Sequence, residues 1–386
     1  MKILAIETSC DDTCAAVLEN DRLLSSVISS QTDLHAKWGG VVPDIAKRAH
    51  AERIEAVIAQ ALKCLNPPAL RAPSLDKEGL KNNKVDFIIE EGMKMIDVIA
   101  VTLGPGLAIA LGVGVNKAKE LAIKYNKKLI GANHVEGHIL ANLIKNKEGK
   151  PERIIEFPAL ALTVSGGHTK LILIQNPSVD KSTSPLDERE KLNKEIFNFK
   201  YTVIGETLDD AAGEALDKAA KMMGLGYPGG PIIERLAEKG DKKYLVLPRP
   251  LSGQKNFDYS FSGLKTSFYY QIKDWRKDTI GENLANLSAS FQDAVFDSLL
   301  IKFKKAVEFY NPKTLLASGG VMANLELRKR LRKMAKEFKT PLLMPVKKQF
   351  NTDNAAMIGI TAYYKALRDE FVEDKEELDR DPRLNF

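Results

Sequence analysis

Residues 158–175 read PALALTVSGGHTKLILIQ, and residues 2–18 read KILAIETSCDDTCAAVL. Each stretch is an apolar run, a polar turn and a second apolar run, which is the pattern of two buried strands joined by a turn. A third strand is predicted after each pair, at Leu23–Ser29 and Tyr201–Ile204. Because strands alternating with helices follow in both halves, the sequence predicts an internal duplication.

The order of the predicted elements indicates the fold class. An α/β chain with two duplicated RNase H-like lobes describes the actin, Hsp70 and sugar-kinase (ASKHA) architecture, which holds its ligand in the cleft between the lobes. We expect lobes at 1–150 and 151–386, with the last helix packing back toward the first lobe. Two segments, about 66–95 and 177–199, are poor in apolar residues, and we predict that both are inserted surface loops.

Composition restricts the protein to an ordinary globular class. Hydrophobic residues make up 44% and charged residues 28% of the 386 positions, and the formal net charge of +6 permits an anionic partner such as RNA without identifying one. Three cysteines in so long a chain argue against a disulfide framework. No apolar run is long enough for a membrane span or a signal peptide, so we expect a cytoplasmic protein.

The sequence HVEGH, residues 134–138, has the spacing of half a metal site. It lies between a predicted strand and a predicted helix, with Asn133 as the expected N-cap. Residues four apart share a helix face, so His134 and His138 could hold one cation. On spacing alone, a buried or solvated histidine pair remains the alternative. No third ligand lies nearby, so one would have to come from far along the chain.

Polar and glycine-rich turns follow several predicted strands. The turn Glu7–Thr13 brings Asp11 and Asp12 together, although turn chemistry alone also explains these residues. Leu103-Gly104-Pro105-Gly106 lies between a strand and a helix, which is a weak phosphate-binding signal. In a two-lobed fold the turns near Ser9, Ser165 and Ser318 are candidates to surround one phosphate-bearing ligand.

Taken together, these motifs resemble those of the TsaD family of tRNA N6-threonylcarbamoyladenosine transferases, formerly described as glycoproteases or O-sialoglycoprotein endopeptidases. The resemblance extends over almost the whole chain and is closest to the bacterial branch. The motifs that carry it are IETSCDD at 6–12, GGVVP at 39–43, HVEGH at 134–138, VSGGHT at 164–169, DDAAGEALDK at 209–218, YPGGP at 227–231, FSGLK at 261–265, SGGVMAN at 318–324 and NTDNAAM at 351–357.

The resemblance implies a metal site and an adenylate site. It makes Asp353 the distant third ligand beside His134 and His138, around one divalent cation, with Fe²⁺ favoured over Zn²⁺. It places the adenylate against Thr163, Val164, Ser165, Gly166, Gly167, Asp217, Gly230 and Asn324. Glu234 departs from the family pattern, which often has Asp there, and is not assigned a role.

The same resemblance implies the reaction. The L-threonylcarbamoyl group of threonylcarbamoyl-AMP would pass to N6 of adenosine-37 in tRNAs reading ANN codons, forming t6A and releasing AMP. Asp11 or Asp12 could act as general base, and the two adjacent carboxylates could equally orient water or substrate. The implied partners are TsaB-like and TsaE-like proteins, with a TsaC-like enzyme supplying the adenylate.

Two alternatives come from other functional classes. A metalloprotease would use the same histidines with Glu136 as base, but protease helices of this type place the glutamate directly after the first histidine. A non-catalytic ATP-binding scaffold is also compatible with the fold class alone.

Overall fold

The computed structural model describes residues 1–65, 81–176 and 198–386. The first lobe is built on a mixed five-stranded sheet. Its strands are β1 Lys2–Glu7, β2 Asp12–Glu19, β3 Arg22–Ser30, β4 Val98–Gly104 and β5 Lys128–Asn133. Their order is β3-β2-β1-β4-β5. The β1–β2–β3 meander is antiparallel, as predicted, and β4 and β5 run parallel to β1.

The second sheet repeats this arrangement. Its strands are β6 Ala159–Val164, β7 Thr169–Gln175, β8 Lys200–Glu206, β9 Thr314–Ser318 and β10 Leu342–Leu343. They are ordered β10-β9-β6-β7-β8, which is the order of the first sheet once β6 is matched with β1. The predicted duplication and two-lobed α/β fold class are therefore confirmed.

Helices cover both faces of each sheet, which explains why the inner strands are apolar runs rather than alternating patterns. Within the described ranges, no helix combines the length and apolar character that a bilayer crossing requires. The helices are α1 Thr32–Ala36, α2 Pro43–Leu62, α3 Lys81–Met93, α4 Ala108–Lys124, α5 His134–Leu140, α6 Ala212–Met222, α7 Gly229–Ala237, α8 Ser262–Ile272, α9 Lys277–Glu282, α10 Leu284–Tyr310, α11 Leu325–Glu337 and α12 Ala355–Leu367.

The last helix, α12, packs on the first sheet although it follows the second in sequence. Its buried residues join the core formed by one face of β1, β2 and β5. Contact is close at Gly359, where an added Cβ would lie 2.2 Å from Cδ1 of Leu18. The chain segment that precedes α12 is thereby brought to the first lobe. The division at residues 150 and 151 stays a prediction.

One predicted surface loop is wrong over part of its length. Residues 81–93 form α3, which packs on α2 and buries Ile88, Ile89 and Met93 in the core of the first lobe. Apolar residues spaced three to four apart within a charged segment are sufficient for one buried helix face. The rest of that predicted insertion up to residue 80, and residues 177–197 of the second, lie outside the described residues.

Helices α7, α8 and α9 were not predicted. The first two are capped by carboxylates distant in sequence, since Asp217 accepts from the backbone N–H of Gly229 and Asp209 accepts from those of Phe261 and Ser262. A local search for an N-cap residue cannot find such a helix start.

Candidate metal centre and nucleotide cleft

The HVEGH residues begin α5 directly after β5. Asn133 is its N-cap, because its Oδ1 accepts hydrogen bonds from the backbone N–H of Val135 (2.8 Å) and Glu136 (3.2 Å). The predicted cap is therefore confirmed. His134 and His138 are both buried, and their ring centroids are 4.7 Å apart. The helix thus presents two imidazoles on one face.

Asp353, just before α12, reaches both histidines. Its Oδ1 lies 3.3 Å from Nε2 of His138 and 3.6 Å from Nε2 of His134. One ligand atom from each residue lies within 4.8 Å of the others. Ligands held about 2.0–2.2 Å from a common cation are themselves separated by about 3–4 Å. The three side chains therefore fit a divalent metal in both spacing and chemistry.

A buried carboxylate supports the first histidine from behind. Oε2 of Glu7 lies 3.0 Å from Nδ1 of His134, and Oγ of Ser9 lies 3.1 Å from the same nitrogen. Thr102 donates to that glutamate oxygen at 2.6 Å, and the backbone N–H of Ser9 donates to the other. A carboxylate at Nδ1 orients the ring and leaves Nε2 facing Asp353. Glu7 was not predicted as a site residue, although a carboxylate ending an apolar strand was a usable signal.

The charges of the site favour a cation. Burial alone would lower the pKa of His134, but the Asp353 and Glu7 carboxylates raise it to about 9. Burial lowers the pKa of His138, which favours the neutral imidazole that binds metals. Burial opposes ionisation of Asp353, yet the two histidines hold its pKa below the ordinary value. The Glu7 and Asp353 carboxylates therefore favour a positive charge at this position, which the His134 proton supplies in the metal-free protein and a bound cation would supply in its place.

A third histidine, not predicted as a site residue, lies beside this group. The ring of His168 is 5.8 Å from that of His134, and its backbone N–H donates to Oγ of Ser165 at 3.0 Å. Burial, reinforced by His134 and His138, lowers the pKa of His168 to about 3. The ring is therefore uncharged. Its position at the end of the SGGH turn was the signal that could have identified it.

Asp11 and Asp12 lie at the start of β2 and outside the three-ligand group. Burial raises the pKa of Asp11, and burial raises that of Asp12 to about 7, with Asp353 adding to the effect. Oδ1 of Asp12 is buried without a hydrogen-bond partner in the part of the chain that is described. Burial raises the pKa of Tyr227, and the charges of Asp11 in the first lobe and Asp217 in the second add to this effect, so residues of both lobes act on one side chain.

The glycine turn after β6 is exposed. A Cβ added at Gly166 or Gly167 would meet no heavy atom within 4 Å. Thr163 and Val164, at the end of β6, are buried, and Oγ1 of Thr163 lies 3.4 Å from Oγ of Ser318. The turns that follow β6 and β9 are thus adjacent. Backbone without side chains beside empty space is what close approach of a ligand requires.

Asp217 and Gly230 are brought together at the start of α7. Oδ1 of Asp217 accepts from the backbone N–H of Gly229 at 2.7 Å and of Gly230 at 3.1 Å. Burial raises the pKa of Asp217 despite these two hydrogen bonds. A Cβ added at Gly230 would meet nothing within 4 Å. One oxygen of Asp217 therefore orients the start of α7, and the space beside Gly230 is open.

Asn324 has a larger structural part than expected. Its Oδ1 caps α11, accepting from the N–H groups of Glu326 (3.0 Å) and Leu327 (3.2 Å), and its Nδ2 donates to Gln292 at 2.8 Å. The side-chain oxygen is therefore engaged within the protein. Beside it, a cavity of about 370 Å³ lies between α7, α10 and α11, with Glu234 and Gln292 in its wall.

The glycine turn after β4 does not face the cleft in the way a phosphate site would require. The backbone N–H of Gly106 donates to the carbonyl of Pro382 at 3.3 Å, and a Cβ added at Gly104 would lie 1.7 Å from the carbonyl oxygen of Asp381. The weak phosphate-binding prediction for this turn is wrong, because the segment after α12 fills the space.

Glu136 is turned away from the metal-type group. It is not among the three residues whose ligand atoms converge. Burial raises its pKa, and the charges of Lys365 and Arg368, near the end of α12, oppose this effect. The glutamate therefore faces the packing between α5 and α12 and not the position of a water on the metal. Nothing in this geometry favours the metalloprotease alternative.

Comparisons with known proteins identify the family of the chain. The family model described as TsaD, tRNA N6-adenosine threonylcarbamoyltransferase, matches residues 22–69, 84–188 and 192–360. Relatives of that name include proteins of Thermosipho melanesiensis, 43% identical over 94% of each chain, and Porphyromonas gingivalis, 39% identical over 96% of this chain and 94% of the relative.

A structural relative shares the fold alone. HypF of T. kodakarensis aligns with a TM-score of 0.54 at 14% identity, over 96% of this chain and 48% of that protein. The family model and the full-length relatives are more specific than this likeness. The chain belongs to the TsaD family of tRNA N6-adenosine threonylcarbamoyltransferases.

Proposed function

We propose that this chain transfers the L-threonylcarbamoyl group from threonylcarbamoyl-AMP to N6 of adenosine-37 in tRNAs reading ANN codons, which yields t6A and AMP. The observation that carries the proposal is the convergence of His134, His138 and Asp353 beside the open turn at Gly166 and Gly167. A cation site next to exposed glycine backbone suits transfer of an acyl group from an adenylate. The names of the full-length relatives support the tRNA substrate.

His134, His138 and Asp353 would hold one divalent cation. Two imidazoles and one carboxylate are the ligand set of many Fe²⁺ sites, and Zn²⁺ also accepts them, so we place Fe²⁺ first. The bound cation would supply a Lewis acid that polarises the carbonyl of the transferred group. Glu7 would keep the His134 ring in the orientation that presents Nε2.

The adenylate would lie across the second lobe. Its phosphate would accept hydrogen bonds from the backbone of Ser165, Gly166 and Gly167, next to the strand end formed by Thr163 and Val164. Asp217 and Gly230 would contact the ribose. The cavity beside Asn324 has room for the base, and Asn324 would shape its wall through Gln292. The space beyond the glycines supports this arrangement.

Transfer requires removal of one proton from the attacking amine. The N6 nitrogen would form a bond to the carbamoyl carbon, and the bond from that carbon to the phosphate oxygen would break, which releases AMP. Asp12 is the better base of the two aspartates, because its pKa of about 7 is close to neutrality and Oδ1 is unpaired among the described residues. Asp11, one residue away, would orient the amine.

Partner proteins complete the proposed pathway. TsaB-like and TsaE-like proteins would assist the transfer, and a TsaC-like enzyme would supply threonylcarbamoyl-AMP. A tRNA substrate implies that the reaction takes place in the cytoplasm.

The test is reconstitution. Full-length protein, with and without the TsaB-like and TsaE-like proteins, is incubated with threonylcarbamoyl-AMP and an ANN-reading tRNA transcript, and nucleosides are analysed after digestion. We expect t6A and an equal amount of AMP, and neither with a transcript carrying guanosine at position 37. AMP release without t6A, at equal rates with both transcripts, would contradict the proposal.

A further inference from the structure

Helix α8 carries two large aromatic side chains on its solvent side. Leu264, Phe268 and Ile272 are buried on one face. On the opposite face Tyr269 is 48% and Tyr270 is 62% exposed. Polar residues are expected at such positions of a helix, so two adjacent exposed tyrosines require a reason.

A lysine side chain lies beside one of these rings. Nζ of Lys273 lies 5.0 Å from the ring centroid of Tyr270. The loop before α8 lies alongside it, because Gln271 donates to the carbonyl of Val246 at 3.2 Å and the ring of Tyr244 contacts that of Trp275. We call this surface the α8 face and define it by Tyr244, Tyr269, Tyr270, Lys273 and Arg276.

The α8 face is a basic region of the molecule. Residues 265–278 contain four Lys or Arg residues and two Asp residues, a net +2, and Asp274 and Asp278 lie 3.9 Å and 3.7 Å from Lys273 and Arg276. Exposed rings that alternate with cations are the usual composition of a nucleic-acid surface, where bases stack on the rings and phosphates pair with the cations. The cores of protein interfaces are instead depleted in lysine.

The start of α8 is attached to the proposed nucleotide cleft. Asp209 accepts from the backbone N–H of Ser262, and Lys265 forms an ion pair with Asp210. This segment leads into α6, where the N–H of Gly213 donates to the carbonyl of Ser165 at 3.3 Å. Tyr270 is eight residues beyond Ser262, or about 12 Å along the helix. The face therefore begins within reach of an RNA whose target base enters the cleft.

We propose that the α8 face binds the RNA strand that flanks the adenosine undergoing transfer, with Tyr269 and Tyr270 stacking on bases and Lys273 and Arg276 pairing with phosphates. The proposal rests on the proposed function, which supplies the RNA. It adds a binding surface that lies outside the metal and adenylate residues.

The test is affinity of the full-length protein for a fluorescent tRNA transcript over a range of salt concentrations. Tyr270→Ala should weaken binding about 5- to 10-fold at each salt concentration, and Tyr270→Phe should bind nearly as well as the parent. Lys273→Glu with Arg276→Glu should weaken binding more strongly and flatten the dependence on salt. Adenylate affinity and the melting temperature should not change.

Matched controls exist in the same chain. Lys124 lies 5.2 Å from the ring of Tyr125 in the first lobe, and Phe309 is 73% exposed in the second. Lys124→Glu and Phe309→Ala should bind tRNA like the parent. Binding by the α8-face variants equal to that of the controls would overturn the proposal, as would variants whose only defect is association with the TsaB-like or TsaE-like protein.

The outcomes separate this proposal from the proposed function. A parent that binds tRNA through the α8 face and forms no t6A would contradict the function and leave the surface standing. If the parent forms t6A and the Tyr270→Ala variant has the same KM for tRNA as the parent, the surface alone is contradicted. A parent without measurable affinity for tRNA would overturn both.

Discussion

At the scale of single residues, the carboxylates of the site differ in how completely they are hydrogen-bonded. Both oxygens of Glu7 are hydrogen-bonded, whereas Oδ1 of Asp12 has no partner among the described residues. Burial makes the carboxyl group of Asp12 expensive to ionise, which favours its protonated form or an interaction with substrate. Glu7 therefore holds the His134 ring in place, and Asp12 is the group whose protonation state can change.

Asp12→Asn should stabilise the metal-free protein at high pH only. The pKa of Asp12 in the parent is about 7 in the folded protein and 3.8 for the unperturbed group. Folding of the parent therefore becomes less favourable as pH rises through this interval. The variant should be more stable by about 2–4 kcal/mol at pH 8 and unchanged at pH 3.5. Denaturant unfolding at both pH values measures this. An equal difference at the two pH values would contradict the assignment.

Gly166→Val should abolish adenylate binding while the metal stays bound. The site of the missing Cβ faces open space, so the branched side chain is accommodated in the protein but occupies the space that the ligand needs. Gly253 also has no neighbour within 4 Å and lies far along the chain, so Gly253→Val is the matched control. The measurement is calorimetry with a non-hydrolysable adenylate analogue. Unaltered affinity of the Gly166→Val variant would show that the turn does not contact the adenylate.

At the scale of elements, local sequence was sufficient to predict those strands and helices whose start and end are marked by neighbouring residues. The meander strands are apolar runs separated by polar turns, and Asn133 caps α5 from the adjacent position. Helices α7 and α8 instead depend on Asp217 and Asp209, whose proximity exists only after folding. The same limit applies to α3, whose charged composition conceals one apolar face.

Helix α3 should contribute to stability although it was predicted as a loop. Ile88 is 3% exposed in the core of the first lobe, whereas its neighbour Phe87 is 42% exposed. Ile88→Ala should lower the free energy of unfolding by about 2–4 kcal/mol, because it leaves a cavity, and Phe87→Ala by less than about 1 kcal/mol. Chemical denaturation of both variants is the measurement. Equal effects would show that α3 is not part of the core.

At the scale of the whole molecule, the duplication brings distant residues together. The second lobe ends in α12, which crosses back to the first sheet and delivers Asp353 to the histidines of α5. Element order predicted the two lobes, since each half repeats the same pattern. It could not predict the contact between α5 and the start of α12, because no local pattern encodes an approach across more than 200 residues. The site assignment for Asp353 came from motif resemblance and not from periodicity.

His138 and Asp353 should act as one unit despite that separation. If both hold one cation, Asp353→Ala and His138→Ala should each lower metal occupancy and each remove t6A formation. The double variant should then be little worse than either single one, because the first substitution has already removed the shared function. His168→Gln is the control, since this ring is close to His134 but outside the convergent group, and it should keep the metal.

The measurements are elemental analysis of the purified variants and t6A yield with partner proteins present. The melting temperature should fall less than activity does, because each lobe has a core of its own and a catalytic cation is not the only support of either. An Asp353→Ala protein with full metal and full transfer would refute the assignment. Independent, multiplicative losses in the double variant would show that the two residues do not share a cation, since ligands of one metal cannot fail separately.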